Sequence, residues 1–94
     1  MNHKKKILIA RNKIDKLDKK IFDLIKRRTS IVKHMLLLKE TKKQIVDTKR
    51  IRKILKSIKR RSIKNKIDPQ ITSQIWKSMI WAYVKYQRKN FKKR

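Results

Sequence analysis

The chain contains no cysteine and no glycine, and it has a single proline, Pro69. Without cysteine there is no disulfide, no thiolate nucleophile and no thiolate metal site. Without glycine there is no glycine-rich phosphate-binding loop, and the tight turns that a β-protein needs between its strands lack their usual residue. Isoleucine is abundant, but it does not alternate with polar residues as it does in a half-buried strand. These absences predict an all-α fold.

Acidic residues and histidines are also scarce. Six Asp and Glu stand against 32 Lys and Arg, which gives a formal net charge of +26, and the histidines are His3 and His34. This set provides no pair of carboxylates for acid–base catalysis and no spacing typical of zinc, so we expect no metal and no cofactor. The charge is typical of proteins that bind nucleic acid or anionic membranes, but a lysine-biased genome produces the same excess without a functional reason.

The apolar run near the start of the chain, residues 7–10, is short. It falls below the core of a signal peptide and well below the roughly 20 residues that span a bilayer. We therefore expect a cytoplasmic protein without a membrane role. A chain of 94 residues has room for one modest core, and we expect residues 1–94 to form a single domain.

Alternating steps of three and four residues indicate a long first helix. An apolar seam through Ile14, Leu17, Ile21 and Leu24 continues in both directions over residues 7–40. Such a helix would be about 50 Å long, whereas a compact monomer of this size has a radius of gyration of about 12 Å. We expect the overhanging seam to be buried against a second copy, which predicts an intertwined homodimer; a solitary helical hairpin is the alternative.

Two further helices are expected. After a linker at residues 41–46, Asp47 has the character of an N-cap for a second helix that runs to about residue 63. Asp68 followed by Pro69 is a strong helix start, because the carboxylate caps free N–H groups and proline lacks the N–H that would be unpaired there. The sequence thus predicts three helices, the first of them long.

Arg11 and Arg28 occupy seam positions where the spacing requires apolar residues. A buried guanidinium without a partner is costly, so each arginine needs a negative group. Asp15 and Asp18 lie about one and two turns from Arg11 and could pair with it, which is a purely structural alternative. The functional interpretation is an anion pocket, because arginine binds carboxylates bidentately. About 25 Å of helix separates the two arginines, so one small anion would need Arg11 from one chain and Arg28 from the other.

Other polar residues border the apolar faces of the same helices. They are Lys39, Arg50 and Gln87. Cations together with a neutral amide suggest a small dicarboxylate that also carries an ether or carbonyl oxygen.

Several motifs resemble the all-helical chorismate mutase family, whose members fold as intertwined three-helix dimers. They are R-x-x-I-D-x-L-D from Arg11, L-I-x-x-R ending at Arg28, Lys39, D-x-x-R from Asp47, and D-P with I-W-x-x-M-I and Gln87 in the last third of the chain. The resemblance extends from about residue 7 to residue 91. It implies the rearrangement of chorismate to prephenate, a step of aromatic amino acid biosynthesis, without a cofactor.

The resemblance also implies roles for individual residues. Arg28 and the partner's Arg11 would bind the two carboxylates of chorismate, while Lys39 and Gln87 would donate hydrogen bonds to its ether oxygen. Arg28, Lys39 and Gln87 would then be the catalytic residues of a Claisen rearrangement. Such a reaction needs positioning and charge stabilisation rather than a nucleophile, a metal or an obligatory proton transfer.

The remaining members of the implied pocket are Asp47, at the start of the second helix, and Arg50, which would add positive charge. Two residues depart from the mutase pattern. Ile51 stands where a glutamate or glutamine usually contacts the ring hydroxyl, and Tyr83 stands where a small polar residue is common. An aliphatic residue after the arginine is similar to the isochorismate pyruvate lyase branch of the family, which forms salicylate. Isochorismate is therefore the alternative substrate.

A third interpretation is a small basic helical module that binds nucleic acid through its lysines, with a steep salt dependence. Against it, the tryptophans and tyrosines of the third helix follow its apolar faces, where we expect them to pack in the core rather than to stack on bases. We therefore expect a homodimeric enzyme whose partner is a small molecule and not a nucleic acid.

Overall fold

The computed structural model describes residues 2–92. It contains three α-helices, α1 (His3–Leu38), α2 (Thr48–Lys64) and α3 (Pro69–Asn90), and a short 3₁₀ segment (Lys42–Ile45) between α1 and α2. No strand occurs in the described range. The predicted all-α fold with a long first helix is therefore confirmed, and the helix ends differ from the predicted ones by only a few residues.

α1 is 36 residues long, which corresponds to about 54 Å of helix. The chain divides into two compact units whose boundary lies within this helix, after Val32. Residues 2–32, the described part of the first unit, include no buried side chain. The seam residues Ile14, Leu17 and Leu24 are 55%, 56% and 60% exposed. The predicted seam is present, and the single chain leaves it uncovered.

The second unit holds the buried core. Leu36, Ile45 and Val84 form its centre, and Val46 and Phe91 pack against them. Leu36 lies in the last turn of α1, Ile45 ends the 3₁₀ segment and Val46 follows it. Val84 lies in the second half of α3, and Phe91 directly follows that helix. The core therefore joins segments that are distant in sequence. No helix among the described residues has the length and apolar character that a membrane span requires.

α2 and α3 pack against each other and share a polar contact near the turn between them. Ile58 and Ile80 are buried on their facing sides. The Ser62 hydroxyl donates to the Ile58 carbonyl oxygen (2.6 Å) and is hydrogen-bonded to the Thr72 hydroxyl (2.6 Å). Ser62 is buried, and an unsatisfied polar group at such a position would cost about 1–3 kcal/mol. These bonds stabilise the corner of the helix pair.

Both predicted N-caps are confirmed. Asp47 Oδ1 accepts the N–H of Arg50 at 3.0 Å, and Asp68 Oδ1 accepts the N–H of Gln70 at 2.9 Å. Pro69 is the first residue of α3, as predicted. Each carboxylate also lies at the positive end of its helix dipole. The two aspartates therefore determine where α2 and α3 begin.

The turn between α2 and α3 is a Schellman motif without glycine. The N–H of Ile67 bonds to the Ser62 carbonyl oxygen at 2.9 Å, and the N–H of Lys66 bonds to the Ile63 carbonyl oxygen at 3.2 Å. Lys66 has a φ of 58°, a left-handed conformation that glycine adopts freely and that costs other residues about 1–2 kcal/mol. Because the chain has no glycine, a lysine occupies the position that glycine usually fills.

Replacing Lys66 with glycine should therefore stabilise the fold. We expect Lys66→Gly to raise the free energy of unfolding by about 1 kcal/mol, measured by urea denaturation followed by circular dichroism. The matched control is Lys56→Gly, which places glycine at an exposed lysine inside α2 and should lower the free energy of unfolding by about 1 kcal/mol. A Lys66→Gly protein no more stable than the parent would show that the left-handed lysine carries no strain.

Candidate active site

Lys39 and Gln87 form the polar centre of the second unit. The Lys39 ammonium nitrogen, Nζ, donates to Gln87 Oε1 at 2.6 Å. Gln87 is 6% exposed, and its Nε2 donates to the backbone carbonyl oxygen of Tyr83 at 3.3 Å. The fold thus brings two predicted site residues into direct contact although 48 positions separate them in the sequence.

The hydrophobic core holds this pair in place. Leu36 lies in the last turn of α1, and its carbonyl oxygen accepts the N–H of Lys39 at 3.2 Å. Val84 is 3% exposed and precedes Gln87 by nearly one turn of α3. Because Leu36 and Val84 pack in the same cluster, the core determines the distance between the backbone segments that carry Lys39 and Gln87.

The segment between α1 and α2 has more structure than the predicted linker. Gln44 Oε1 accepts the N–H groups of Glu40 (2.6 Å) and Thr41 (3.0 Å), and the next residue, Ile45, packs in the core. The T-x-x-Q spacing of Thr41 and Gln44 is that of a capping box, and it is the sequence signal from which this turn could have been predicted. The turn connects Lys39 to the start of α2 by a short and structured path.

The surroundings of Lys39 change its titration. Burial lowers the pKa of the Lys39 ammonium below its ordinary value, because desolvation disfavours the charged form, and the negative charge of Asp47 raises that pKa and opposes part of the shift. Asp47 therefore has two roles, since it also caps α2 through the N–H of Arg50. A partly desolvated ammonium interacts with a ligand oxygen more strongly than one in bulk water.

Donors remain for a ligand after the internal hydrogen bonds are taken into account. An ammonium carries three N–H groups and a carboxamide carries two. Lys39 uses one of them for Gln87, and Gln87 uses one for the Tyr83 carbonyl oxygen. Both side chains therefore keep N–H groups for an electronegative atom placed beside the pair. This arrangement suits an oxygen that carries or develops negative charge.

Arg50 and Ile51 lie in the first turn of α2, beside Asp47. Arg50 is exposed and Ile51 is half-buried. Tyr83 is half-buried too, and its carbonyl oxygen orients the amide of Gln87. In this unit, hydrogen bonds and electrostatic interaction link four of the predicted site residues: Lys39, Asp47, Tyr83 and Gln87.

The remaining predicted site residues, Arg11 and Arg28, belong to the first unit, whereas the other six belong to the second. Arg11 is exposed and Arg28 is half-buried on α1. Their binding of carboxylates stays a prediction, since it requires a ligand and, for Arg11, a second chain.

Comparison with known proteins identifies a family. The family model described as chorismate mutase type II matches residues 10–88, a range that covers most of the chain and includes every predicted site residue. A search of curated proteins and a search of solved structures each found no match.

Removing the charge of Asp47 should lower the pKa of Lys39 further. Asparagine caps helices about as well as aspartate, so Asp47→Asn keeps the start of α2 while it abolishes the attraction that raises this pKa. NMR titration of the Lys39 Nζ resonance measures the change. Because folding depresses this pKa, the unfolded chain binds more protons between the folded and unfolded pKa values, and stability rises with pH through that window. Because Asp47→Asn lowers the folded-state pKa of Lys39 further, the pH range over which stability rises should extend to lower pH.

Asp68→Asn is the matched control, because it makes the same change at the N-cap of α3. Asp68 precedes Gln87, the partner of Lys39, by 19 residues, which is about 28 Å along the helix. Charge effects over that distance are screened at ordinary ionic strength, so the Lys39 titration should not move. Equal shifts in the two variants, or no shift in Asp47→Asn, would contradict the electrostatic role of Asp47.

Proposed function

The chain belongs to the chorismate mutase type II family, and on this premise we propose that it rearranges chorismate to prephenate in a pocket built around Lys39 and Gln87. The family implies an isomerase. The observation that carries the assignment of the pocket is the contact between a partly desolvated ammonium and a buried amide, held together by the hydrophobic core.

The chemistry of the rearrangement matches these donors. The C–O bond of an enol ether breaks while a C–C bond forms in the same molecule, and negative charge builds on the ether oxygen as the C–O bond lengthens. Lys39 and Gln87 donate to that oxygen in the proposed complex, so their hydrogen bonds strengthen as the reaction proceeds. A hydrogen bond to a charged group contributes about 1.5–3 kcal/mol. Donors held by the fold need no reorganisation during the reaction.

In the proposed complex the two carboxylates of chorismate are bound by Arg28 and the partner's Arg11. The uncovered seam of α1 supports a dimer, because residues such as Leu17 and Leu24 stay more than half exposed in the single chain. Full burial of a side chain of this size contributes about 1.5–3 kcal/mol. An antiparallel second copy of α1 would cover the seam and bring Arg11 of one chain near Arg28 of the other. Two guanidinium forks then hold the substrate in its reactive conformer.

Ile51 favours a second candidate function, isochorismate pyruvate lyase. Its half-buried aliphatic side chain cannot hydrogen-bond the ring hydroxyl of chorismate, so that substrate forgoes a hydrogen bond worth about 1 kcal/mol. Isochorismate carries its hydroxyl at a different ring position, and the lyase removes pyruvate from it to leave salicylate. The donors of Lys39 and Gln87 serve either reaction, because both break the C–O bond to the enolpyruvyl group.

Incubation with each substrate, followed by chromatography of the products, tests the proposal. We expect prephenate from chorismate, and a loss of rate of about 100-fold or more in Arg28→Ala, because a transition-state contact to a charged group is removed. Arg27→Ala is the matched control: it removes the neighbouring exposed arginine and should retain the parent rate. Salicylate and pyruvate from isochorismate, with no prephenate from chorismate, would establish the lyase instead. The absence of product from either substrate would contradict both.

Mixed dimers test whether two chains build each site. Arg11→Ala and Arg28→Ala should each abolish activity. After subunit exchange, half of the dimers contain one chain of each kind, and each of these has one site with both arginines, so about a quarter of the parent activity should return. Differently tagged chains verify the exchange, and Arg11→Ala mixed with itself is the inactive control. No recovery after verified exchange would show that Arg11 and Arg28 do not meet across the dimer.

A further inference from the structure

The positive charge of α2 has no part in the proposed reaction beyond Arg50. Nine of the 17 residues of α2 are lysine or arginine, and none is acidic. Six of these cations fall within about 120° of the helix circumference, and we call them the basic face: Lys49, Arg52, Lys53, Lys56, Lys59 and Arg60. All six are exposed. The opposite side of α2 carries the buried Ile58 and Ser62 and packs on α3.

The basic face has no neutralising partner in its own chain. Within residues 2–92 its side chains form no hydrogen bond or ion pair, and α3, the helix packed against α2, contains no acidic residue. Like charges one turn apart, such as Lys49 with Lys53 or Lys56 with Arg60, destabilise a helix by about 0.2–0.5 kcal/mol per pair. An anion bound along the face would remove that repulsion.

A groove continues the basic face onto α3. It has a volume of about 560 Å³ and begins at Lys59; on α3 it is lined by Pro69, Gln70, Ser73, Gln74, Lys77 and Ser78. The lining provides ammonium, carboxamide and hydroxyl groups, and the side chains are not used in internal hydrogen bonds within residues 2–92. Lys, Gln and Ser side chains are among the groups that contact phosphate and sugar in nucleic-acid complexes.

An aromatic side chain extends this surface. Trp81 lies one turn after Lys77 and one turn before Lys85 on the same side of α3, and it is 47% exposed. In the single chain, the expectation that the tryptophans and tyrosines of this helix pack in the core is not met by Trp81 or by Tyr86, which is 37% exposed. An exposed indole between two lysines provides a plane on which a base can stack, while the neighbouring ammonium groups contact the backbone.

From these observations we infer, contrary to the expectation from the sequence, that the basic face and the adjoining groove bind the sugar–phosphate backbone of single-stranded nucleic acid, without reading its sequence. The cations supply the electrostatic attraction to phosphate, the groove supplies neutral donors and acceptors, and Trp81 supplies a stacking plane. None of these residues belongs to the proposed catalytic pocket. The inference therefore does not depend on the proposed reaction.

The same features argue against an anionic membrane as the partner. A helix that lies on a bilayer turns a broad apolar face toward the lipid. In α2 the apolar residues Ile54, Leu55 and Ile58 are half-buried or buried, on the side away from the basic face. Ile63 lies among the cations and is 60% exposed, but a single isoleucine is not a broad apolar face. Apart from Pro69, the residues that line the groove have polar side chains. Nucleic acid, with its regular row of phosphates, fits this surface better.

Fluorescence anisotropy of a short fluorescein-labelled DNA single strand, titrated with protein at several salt concentrations, tests the inference. The test variant is the triple change Lys53→Gln, Lys56→Gln and Lys59→Gln. The matched control is Lys16→Gln, Lys19→Gln and Lys26→Gln, which removes the same charge from exposed lysines of α1. We expect the first triple to weaken binding by about 10-fold or more and to reduce the salt slope by about 0.7 for each phosphate that is no longer neutralised. The control should remain within about 2-fold of the parent, with a similar salt slope.

Two results would overturn the inference. Equal losses in both triples would show that the single strand responds to net charge and not to the basic face. Stronger binding to phosphatidylserine vesicles than to the single strand would identify a membrane surface instead. Circular dichroism melting of both triples verifies that each is folded. Chorismate turnover, measured on the same samples, should be unchanged in both triples. A loss of nucleic-acid binding is therefore distinguishable from a failure of the proposed reaction.

Discussion

A lysine side chain that is partly withdrawn from water, Lys39, is the feature on which the candidate site depends. Desolvation disfavours the charge of Lys39, so the fold must supply partners, and it supplies Gln87 through a 2.6 Å hydrogen bond and Asp47 through its charge. Those partners come from α3 and from the start of α2. The end of α1, the 3₁₀ segment and α3 must therefore all pack correctly around the Leu36, Ile45 and Val84 cluster before the ammonium is stabilised.

The first unit presents the opposite problem, because its apolar residues remain in water. A helix gains most of its stability in proteins from packing one face against another element, and residues 2–32 bury no side chain in the single chain. Arg11 and Arg28 interrupt that uncovered face. In the proposed dimer a second α1 covers the seam, and the two arginines face an anion rather than apolar side chains. Burial of the seam and completion of the pocket are then one event.

Local features were predictable from the sequence, and interactions between distant segments were less so. The caps at Asp47 and Asp68 depend on residues at most three positions away, so a short pattern was enough to predict them. The resemblance to a family predicted that Lys39 and Gln87 act together. The 2.6 Å contact between them and the effect of Asp47 on the Lys39 pKa depend on how distant segments pack, which the sequence does not show. Lys66 was unpredictable because the residue that marks a Schellman turn, glycine, is absent. The exposure of Trp81 in the single chain was not predicted, because the periodicity of α3 does not show which side of an aromatic stripe faces solvent.

The scarcity of carboxylates explains why the cations of this chain remain available to other molecules. Only six Asp and Glu are present, and Asp47 and Asp68 are already used as N-caps. Most of the 32 Lys and Arg therefore cannot be neutralised within the chain, and like-charge repulsion opposes folding. The environment of each cation then decides what it binds. At Lys39, burial favours a small anion that replaces the displaced water, whereas the hydrated cations of α2 attract an extended anion through many weak contacts. The two proposed partners, an enol-ether dicarboxylate and a phosphate backbone, follow from the same excess charge in two different surroundings.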